Sequence, residues 1–111
     1  MEQVAAVIPA YNEAGRIGSV LAAVSAVEEI TEIIVVSDGS TDGTADEARR
    51  AGDKVQVLEL LSNQGKGAAL LAGVRATKAN ILVLLDADLV GLQPAHVESL
   101  LRPVLVDGVP M

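Results

Sequence analysis

Residues 33–44 read IIVVSDGSTDGT, a run of four β-branched residues that passes directly into a polar turn with two glycines. A short continuous apolar run is typical of a strand that is covered on both faces of a parallel sheet. The turn leads to Thr44, and Glu47 three residues later completes the form of a capping box. The stretch therefore predicts a strand, a turn and a helix that ends near Gly52.

The same succession of strand and helix recurs along the chain. Hydrophobic spacing predicts strands at residues 4–8, 33–36, 55–61 and 81–85, and helices at residues 14–27, 44–52, 68–78 and 94–101. Asp42 and Asp46 are expected to serve the start of the second helix. The alternation predicts an α/β fold, a Rossmann-like open parallel sheet with helices on both faces and strand order 3-2-1-4. Without repeats or linkers, one domain is expected over residues 1–111.

The composition argues against several classes of partner. Half of the residues are apolar, Tyr11 is the only aromatic residue, and cysteine is absent. Sites for single-stranded nucleic acid usually stack bases on several rings. Duplexes are bound through an excess of Lys and Arg, whereas this chain carries a net charge of −7. No apolar run has the length of a membrane span, and no basic secretory start is present, so we expect a cytoplasmic domain without a transmembrane segment or a nucleic-acid partner.

Polar segments follow all of the predicted strands. They are residues 9–13 (PAYNE), 37–43 (SDGSTDG), 63–67 (NQGKG) and 86–88 (DAD). In an open parallel sheet, ligands bind outside the carboxyl ends of the strands, where the strand order reverses. These segments gather the only aromatic ring, a lysine between glycines and five acidic residues at that edge. The candidate site is therefore expected there.

Motifs in these segments, in their order and spacing, resemble those of family 2 glycosyltransferases of the GT-A fold. They are IPAYNE at residues 8–13, DGSTD at 38–42, GKG at 65–67 and DADL at 86–89. Within that family the sequence is most similar to the dolichyl-phosphate mannose synthase and glucosyl-3-phosphoglycerate synthase branches. The resemblance covers nearly the whole chain but only the N-terminal, nucleotide-binding half of the family's catalytic domain. It implies that this chain supplies donor binding and that the acceptor half, with the acidic general base of inverting members, is absent.

The resemblance implies a metal site at Asp86 and Asp88. The donor would be a nucleotide diphosphate sugar, UDP- or GDP-linked, whose anionic leaving group needs positive charge nearby. Carboxylates spaced Asp-x-Asp suit a hard divalent cation, Mg²⁺ or Mn²⁺, that bridges to the diphosphate. Asp88 is expected to bind the ion most directly and Asp86 to contact the ribose or the metal's water. The alternative from the residues alone is an Asp-rich turn that closes an apolar strand.

The resemblance also implies a set of contacts with the nucleotide sugar. The expected residues are Pro9, Ala10, Tyr11, Asn12, Glu13, Asp38, Gly39, Ser40, Lys66, Asp86 and Ala87. In this set Tyr11 would lie against the base, Asp38 would accept a hydrogen bond from a base N–H, and Glu13 would contact the ribose. Lys66 would reach a phosphate. The acceptor and the catalytic residues stay unassigned.

Each of these residues has a structural alternative. Tyr11 can pack half-buried on the preceding proline, and Asp38 can form a turn with the amide two residues further on. Asn12 can cap the first helix, and Glu13 can favour its first turn through the helix dipole. Lys66 can rest in solvent. The residues alone do not decide between these interpretations.

Other functional classes fit the motifs less well. The glycine fingerprints of dinucleotide-binding domains and of P-loops are missing at the expected places. A receiver-type signalling domain would need an Asp at the end of its third strand, where residues 60–62 are Leu-Leu-Ser. A fragment that binds a nucleotide sugar without catalysis remains an alternative. The predicted order also leaves strand 81–85 at an edge, which predicts homo-oligomers through that strand, and a lipid phosphate acceptor would place the protein at the membrane surface.

Overall fold

The computed structural model describes residues 3–87, which fold into alternating strands and helices. The elements are β1 Val4–Ala10, α1 Ile17–Ser25, β2 Glu32–Asp38, α2 Thr44–Arg49, β3 Val55–Leu60, α3 Lys66–Arg75 and β4 Ile81–Leu84. All strand pairs are parallel, and the sheet order is β3-β2-β1-β4, which confirms the predicted order. The helix predicted at residues 94–101 lies outside the described residues. No described helix combines the length and apolarity needed to cross a bilayer.

The larger part of the core lies between the sheet and the helices α1 and α2. Alternate residues of β1 point to this side, where Ile8 meets Ile17 and Leu21 of α1 in one buried cluster. The opposite face is covered by α3, whose Ala69 packs in a smaller cluster with Ile34 and Val36 of β2. Both faces of the sheet are therefore covered by helices, as the continuous apolar strands predicted.

Strand β1 continues beyond its predicted end and includes Pro9. A proline inside a sheet removes a hydrogen-bond donor and is tolerated where no ladder partner is needed. Val7 is the last residue of β1 paired with β4, and its carbonyl accepts a hydrogen bond from the amide of Leu85. Two residues further on, Pro9 faces the side on which β4 has already ended, so its missing N–H leaves no bond unmade.

Helix α1 begins at Ile17, three residues later than predicted, and Asn12 does not cap it. Asn12 adopts a left-handed backbone conformation with φ of 52°, and its side-chain oxygen accepts a hydrogen bond from the amide of Thr41 at 2.9 Å. Gly15, with φ of 87°, provides a second left-handed turn before the helix. The interpretation of Asn12 as a helix cap is wrong because this side chain ties two loops together.

The capping box expected at Thr44 and Glu47 is also wrong. The Thr44 hydroxyl donates to the Asp42 carboxylate, which also accepts the Thr44 amide at 3.0 Å. Glu47 turns away from its own helix and accepts amides near the start of α1. Asp42 therefore serves the start of α2, as expected, and Asp46 lies in the first turn of that helix.

Candidate functional site

The carboxyl ends of the strands surround a cavity of about 360 Å³. It is lined by Pro9, Ala10, Tyr11, Glu13, Asp38, Asn63, Gly65, Lys66, Asp86 and Ala87. Most of the expected nucleotide contacts therefore lie together at the edge that the topology predicted. Asn63 and Gly65 were not among the expected contacts, although the glycine-rich motif at residues 63–67 was the signal for them.

Three expected contacts, Asn12, Gly39 and Ser40, do not line the cavity but hold its loops. The Asn12 amide donates to the Ser40 hydroxyl oxygen at 3.1 Å. Gly39 has φ of 71°, and a Cβ at this position would lie 2.4 Å from the amide nitrogen of Asn63. Glycine thus lets the loop after β2 run directly against the loop after β3.

Asp38 is 4% exposed at the end of β2, and its carboxylate organises the loop after β3. Its two oxygens accept the amides of Gln64 at 2.7 Å and Gly65 at 2.9 Å. The alternative interpretation, a turn with the amide of Ser40, is not the arrangement that forms. A carboxylate oxygen has a second lone pair, so Asp38 can still accept a hydrogen bond from a ligand in the cavity that it lines.

Within residues 3–87, one carboxylate oxygen of Glu13 has a partner and the other has none. Its Oε1 pairs with the Arg16 guanidinium at 2.8 Å, and its side chain is 13% exposed. Its Oε2 is buried and has no hydrogen-bond partner among the described residues. A buried polar atom left without a partner costs free energy, and a ligand hydroxyl in the cavity would remove that cost.

Lys66 and Asp86 form an ion pair at the cavity. Gly65, with φ of 100°, turns the chain into α3, so that Lys66 is its first residue. Asp86 follows β4, and both side chains of the pair are about half exposed. An exposed ion pair contributes little to stability, so the pair leaves both groups able to exchange partners.

Tyr11 lies at the rim of the cavity and is 47% exposed. The half-buried position agrees with the packing alternative, and the exposed part of the ring is accessible to a planar ligand. Glu13, Asp38 and Asp86 line the same cavity, and among the residues of 3–87 that line it Lys66 is the only lysine or arginine. An anionic ligand would thus meet an excess of negative charge unless a cation came with it.

Among the described residues, Asp86 is the one expected metal ligand whose surroundings can be assessed. Asp86 offers a half-exposed carboxylate oxygen of the type that Mg²⁺ prefers, beside a cavity with room for phosphate oxygens and water, its usual further ligands. Residues 3–87 contain no group of three or more His, Cys, Asp or Glu side chains placed to hold an ion. Asp88, the other expected ligand, lies outside them. The donor chemistry at Asp86 therefore fits an ion that is shared with a diphosphate.

The sequence matches a known family over most of its length. A profile described as glycosyl transferase family 2 matches residues 5–109. The chain is 38% identical over 114 aligned residues to glucosyl-3-phosphoglycerate synthase of Mycolicibacterium paratuberculosis, covering 96% of this chain and 35% of that protein. It is 37% identical over 100 residues to dolichyl-phosphate beta-glucosyltransferase of Drosophila melanogaster, covering 78% and 31%. The chain thus spans about a third of the length of these relatives.

Solved structures show the same fold. Glucosyl-3-phosphoglycerate synthase of Mycobacterium tuberculosis, solved with Mn²⁺, uridine diphosphate and glucosyl-3-phosphoglycerate, aligns with a TM-score of 0.84 and 33% identity. The alignment covers 94% of this chain and 40% of that one. Another structure of the same enzyme holds Mg²⁺ and uridine diphosphate, also at a TM-score of 0.84. The GT-A fold that the motifs implied is confirmed.

Proposed function

This chain belongs to glycosyl transferase family 2, and from that premise we propose that it binds the donor of a sugar-transfer reaction, a nucleotide diphosphate sugar, with a divalent cation. The observation that carries the proposal is the buried Glu13 Oε2, which lacks a partner among residues 3–87 in a residue that lines the cavity. Folding leaves such an atom unpaired at a cost, which a ligand offsets. Glucosyl-3-phosphoglycerate synthase of Mycobacterium tuberculosis binds UDP in its solved complexes, and this favours UDP over GDP as the nucleotide here.

Three side chains would hold the nucleoside. Tyr11 offers its accessible ring to the base, and Asp38 offers an acceptor whose direction is fixed by the amides of Gln64 and Gly65. Glu13 would accept a ribose hydroxyl on Oε2. Because both carboxylates are already anchored, neither needs to be ordered when the ligand binds, which lowers the entropic cost of binding.

The diphosphate would lie on the side of Asp86 and Lys66. Asp86 and Asp88 would hold Mg²⁺ or Mn²⁺, which when bound neutralises the charge that develops on the departing diphosphate. Lys66 would move from Asp86 to a phosphate oxygen, so that the lysine keeps an anionic partner while the carboxylate becomes available. The family's transfer then forms a bond from the anomeric carbon to an acceptor oxygen as the bond to the diphosphate breaks.

For the whole protein's reaction, the relatives support a proposal. We expect glucose as the sugar and a phosphorylated acceptor, because one relative makes glucosyl-3-phosphoglycerate and another acts on a dolichyl phosphate. The general base would come from residues outside these 111.

A cytoplasmic location suits a nucleotide-sugar donor, and a lipid phosphate acceptor would bring the protein to a membrane surface. A fragment that binds the donor without transferring it would share every contact proposed for the nucleotide.

A second copy of the chain is the proposed partner of β4. Within residues 3–87 this strand pairs with β1 on one side only. Leu82 and Leu84, which point to the α3 face, are 38% and 53% exposed. Unpaired strand groups flanked by exposed apolar side chains favour pairing with another chain.

Calorimetric titration tests donor binding and its link to the metal. UDP should bind more tightly with Mn²⁺ than with a chelator, and Asp88→Ala should remove that gain, a loss of several kcal/mol by the usual contribution of a bridging ion. Asp53→Ala, which removes the same charge from an exposed residue before β3, is the control and should bind as the wild type does. Equal affinity for UDP with Mn²⁺ and with chelator would overturn the proposal.

A further inference from the structure

The loop between β1 and α1 is held by hydrogen bonds to side chains of another segment. Consecutive backbone amides in this loop donate to side-chain oxygens of the β2–α2 segment: Asn12 to Ser40 at 3.1 Å, Glu13 to Thr44 at 2.9 Å, Ala14 to Asp42 at 3.3 Å and Gly15 to Glu47 at 2.7 Å. Within the loop itself, the backbone hydrogen bonds run only from the amides of Arg16 and Ile17 to the carbonyl of Glu13. The conformation of the loop therefore depends on its neighbour.

Glu47 makes the most extensive of these attachments. Its Oε1 accepts the Gly15 amide and its Oε2 accepts the Gly18 amide, each at 2.7 Å. These amides lie at the start of α1, where Arg16 makes no capping bond with its side chain. Hydrogen bonds to an ionised acceptor are about twice as strong as neutral ones. Glu47 thus caps α1 from α2, a contact between residues about thirty positions apart in the sequence.

The absence of a side chain at Gly18 makes room for the Glu47 carboxylate. A Cβ on Gly18 would lie 2.9 Å from Glu47 Oε2, so a side chain at this position would displace the Glu47 carboxylate from the Gly18 amide. Asn12 and Gly15 both have positive φ, a backbone conformation that asparagine and glycine adopt more readily than other residues. The residues that the loop presents to the cavity are Tyr11 and Glu13.

We propose that Glu47 is a positioning residue for the nucleotide site. It does not line the cavity, and it acts by fixing the amides of Gly15 and Gly18 so that Tyr11 and Glu13 face the ligand. This inference rests on the proposed function, since it assigns those residues to the nucleoside. Displacement of the loop would weaken binding of the nucleoside and leave the diphosphate side, at Lys66 and Asp86, unchanged.

The experiment uses the full 111-residue chain and the variants Glu47→Ala and Glu47→Gln. We expect Glu47→Ala to weaken UDP–Mn²⁺ binding about tenfold, while Mn²⁺–pyrophosphate affinity changes by less than about twofold. Tyr11 is the only aromatic residue, so intrinsic fluorescence reports on this loop alone. Its quenching by acrylamide in the ligand-free chain should increase in Glu47→Ala. Asp46→Ala removes the same charge from the same helix and should change none of these quantities.

Gly18→Ala tests the same contact from the other side. It should also raise Tyr11 quenching. The double variant with Glu47→Ala should show no more quenching and no weaker UDP binding than Glu47→Ala alone, because both substitutions disrupt one contact.

Glu47→Gln keeps one oxygen that can accept an amide, so its effects should be intermediate. It replaces Glu47→Ala as the test variant if Glu47→Ala does not fold. Wild-type quenching and wild-type UDP affinity in a folded Glu47 variant would overturn the inference. Absence of UDP binding in the wild type would contradict only the proposed function, because Tyr11 quenching still reports whether Glu47 holds the loop.

Discussion

Individual side chains in this site serve two loops at once. The Thr44 hydroxyl oxygen accepts the Glu13 amide at 2.9 Å while its proton is donated to the Asp42 carboxylate. Asp42 in turn accepts the amide of Ala14 at 3.3 Å. This chain of hydrogen bonds connects the loop that carries Glu13 to the start of α2. A substitution of Asp42 should therefore alter both the loop that carries Glu13 and the start of α2.

The charge of Asp42 makes this connection dependent on pH. The hydrogen bond from the Thr44 hydroxyl, with those from the amides of Thr44 and Ala14, lowers the pKa of Asp42 below its ordinary value of 3.8 despite some desolvation. A lowered pKa in the folded state means that the carboxylate stabilises the fold at neutral pH. The contribution is complete above the unfolded-state pKa and is lost as the pH falls through the folded-state pKa.

We therefore expect Asp42→Asn to lose less stability in acid than the wild type does. Thermal unfolding followed by circular dichroism between about pH 5 and pH 2, where paired carboxylates become protonated, is the measurement. The difference in unfolding temperature between the two proteins should shrink toward the acid end. A difference that stays constant over this range would show that Asp42 does not titrate with folding.

The residues that gather at the cavity were predictable because the topology alone brings the segments after parallel strands to one edge. Tyr11, Glu13, Asp38, Lys66 and Asp86 lie there for that reason. The partners of Glu47 were not predictable, because hydrogen bonds between segments about thirty residues apart leave no periodic pattern. The capping-box motif even indicated a different partner for Glu47, in its own helix.

Helix α3 shows how an element is fitted to the sheet. Only Ala69 and Gly73 of this helix are buried. A Cβ on Gly73 would lie 2.4 Å from Val7 Cγ1 and 3.1 Å from Val36 Cγ2. Small residues on the inner side of α3 thus let the helix approach β1 and β2 closely. On the same helix, a Cβ on Gly67 would meet no atom of the described residues within 4 Å, so this position tolerates a side chain.

We expect Gly73→Ala and Gly67→Ala to change the free energy of unfolding in opposite directions. Overpacking against Val7 should cost about 1–3 kcal/mol, which the better helix propensity of alanine offsets by up to about 1 kcal/mol. Gly67→Ala should gain up to about 1 kcal/mol, because only the helix propensity changes at that position. Urea denaturation measures both. Equal stabilisation by the two substitutions would show that α3 does not pack closely on β1.

The bounds of the elements were less predictable than their existence. The apolar spacing of residues 17, 20, 21 and 24 indicated α1, and all of these residues are buried. The spacing did not indicate where α1 begins, because Ala14 and Gly15 have amides that are held by Asp42 and Glu47 from outside. A helix start set by tertiary hydrogen bonds cannot be located from the local sequence alone.

At the scale of the whole molecule, the exposed side chains of β4 predict self-association. Leu84 is 53% exposed, whereas Val83 is buried, so Leu84→Lys places a charge at the edge without placing it in the core. The wild type should sediment as a larger species with rising concentration, and Leu84→Lys should sediment as a smaller one. A monomer at every concentration in the wild type would contradict pairing through β4.

The sheet order was predictable from the sequence because alternating elements, right-handed crossovers and a switch point leave few arrangements. The same topology places β1 at the centre, and its loop lies beside those of β2 and β4. What the order could not show is that Asp38 closes the site from the β3 side through the amides of Gln64 and Gly65. That contact depends on Gly39, because a side chain at this position would clash with the loop after β3 at Asn63. The local sequence around Gly39 does not reveal this packing.

The central claim is that the carboxyl edge of this sheet binds a nucleoside diphosphate. Amide chemical-shift mapping with UDP and Mg²⁺ tests it most directly. We expect shifts at the amides of Tyr11, Glu13, Gly65 and Lys66, and none at the opposite end of the sheet around Thr31 and Gln56. Shifts centred on Thr31 and Gln56, or an unchanged spectrum at saturating UDP, would contradict it.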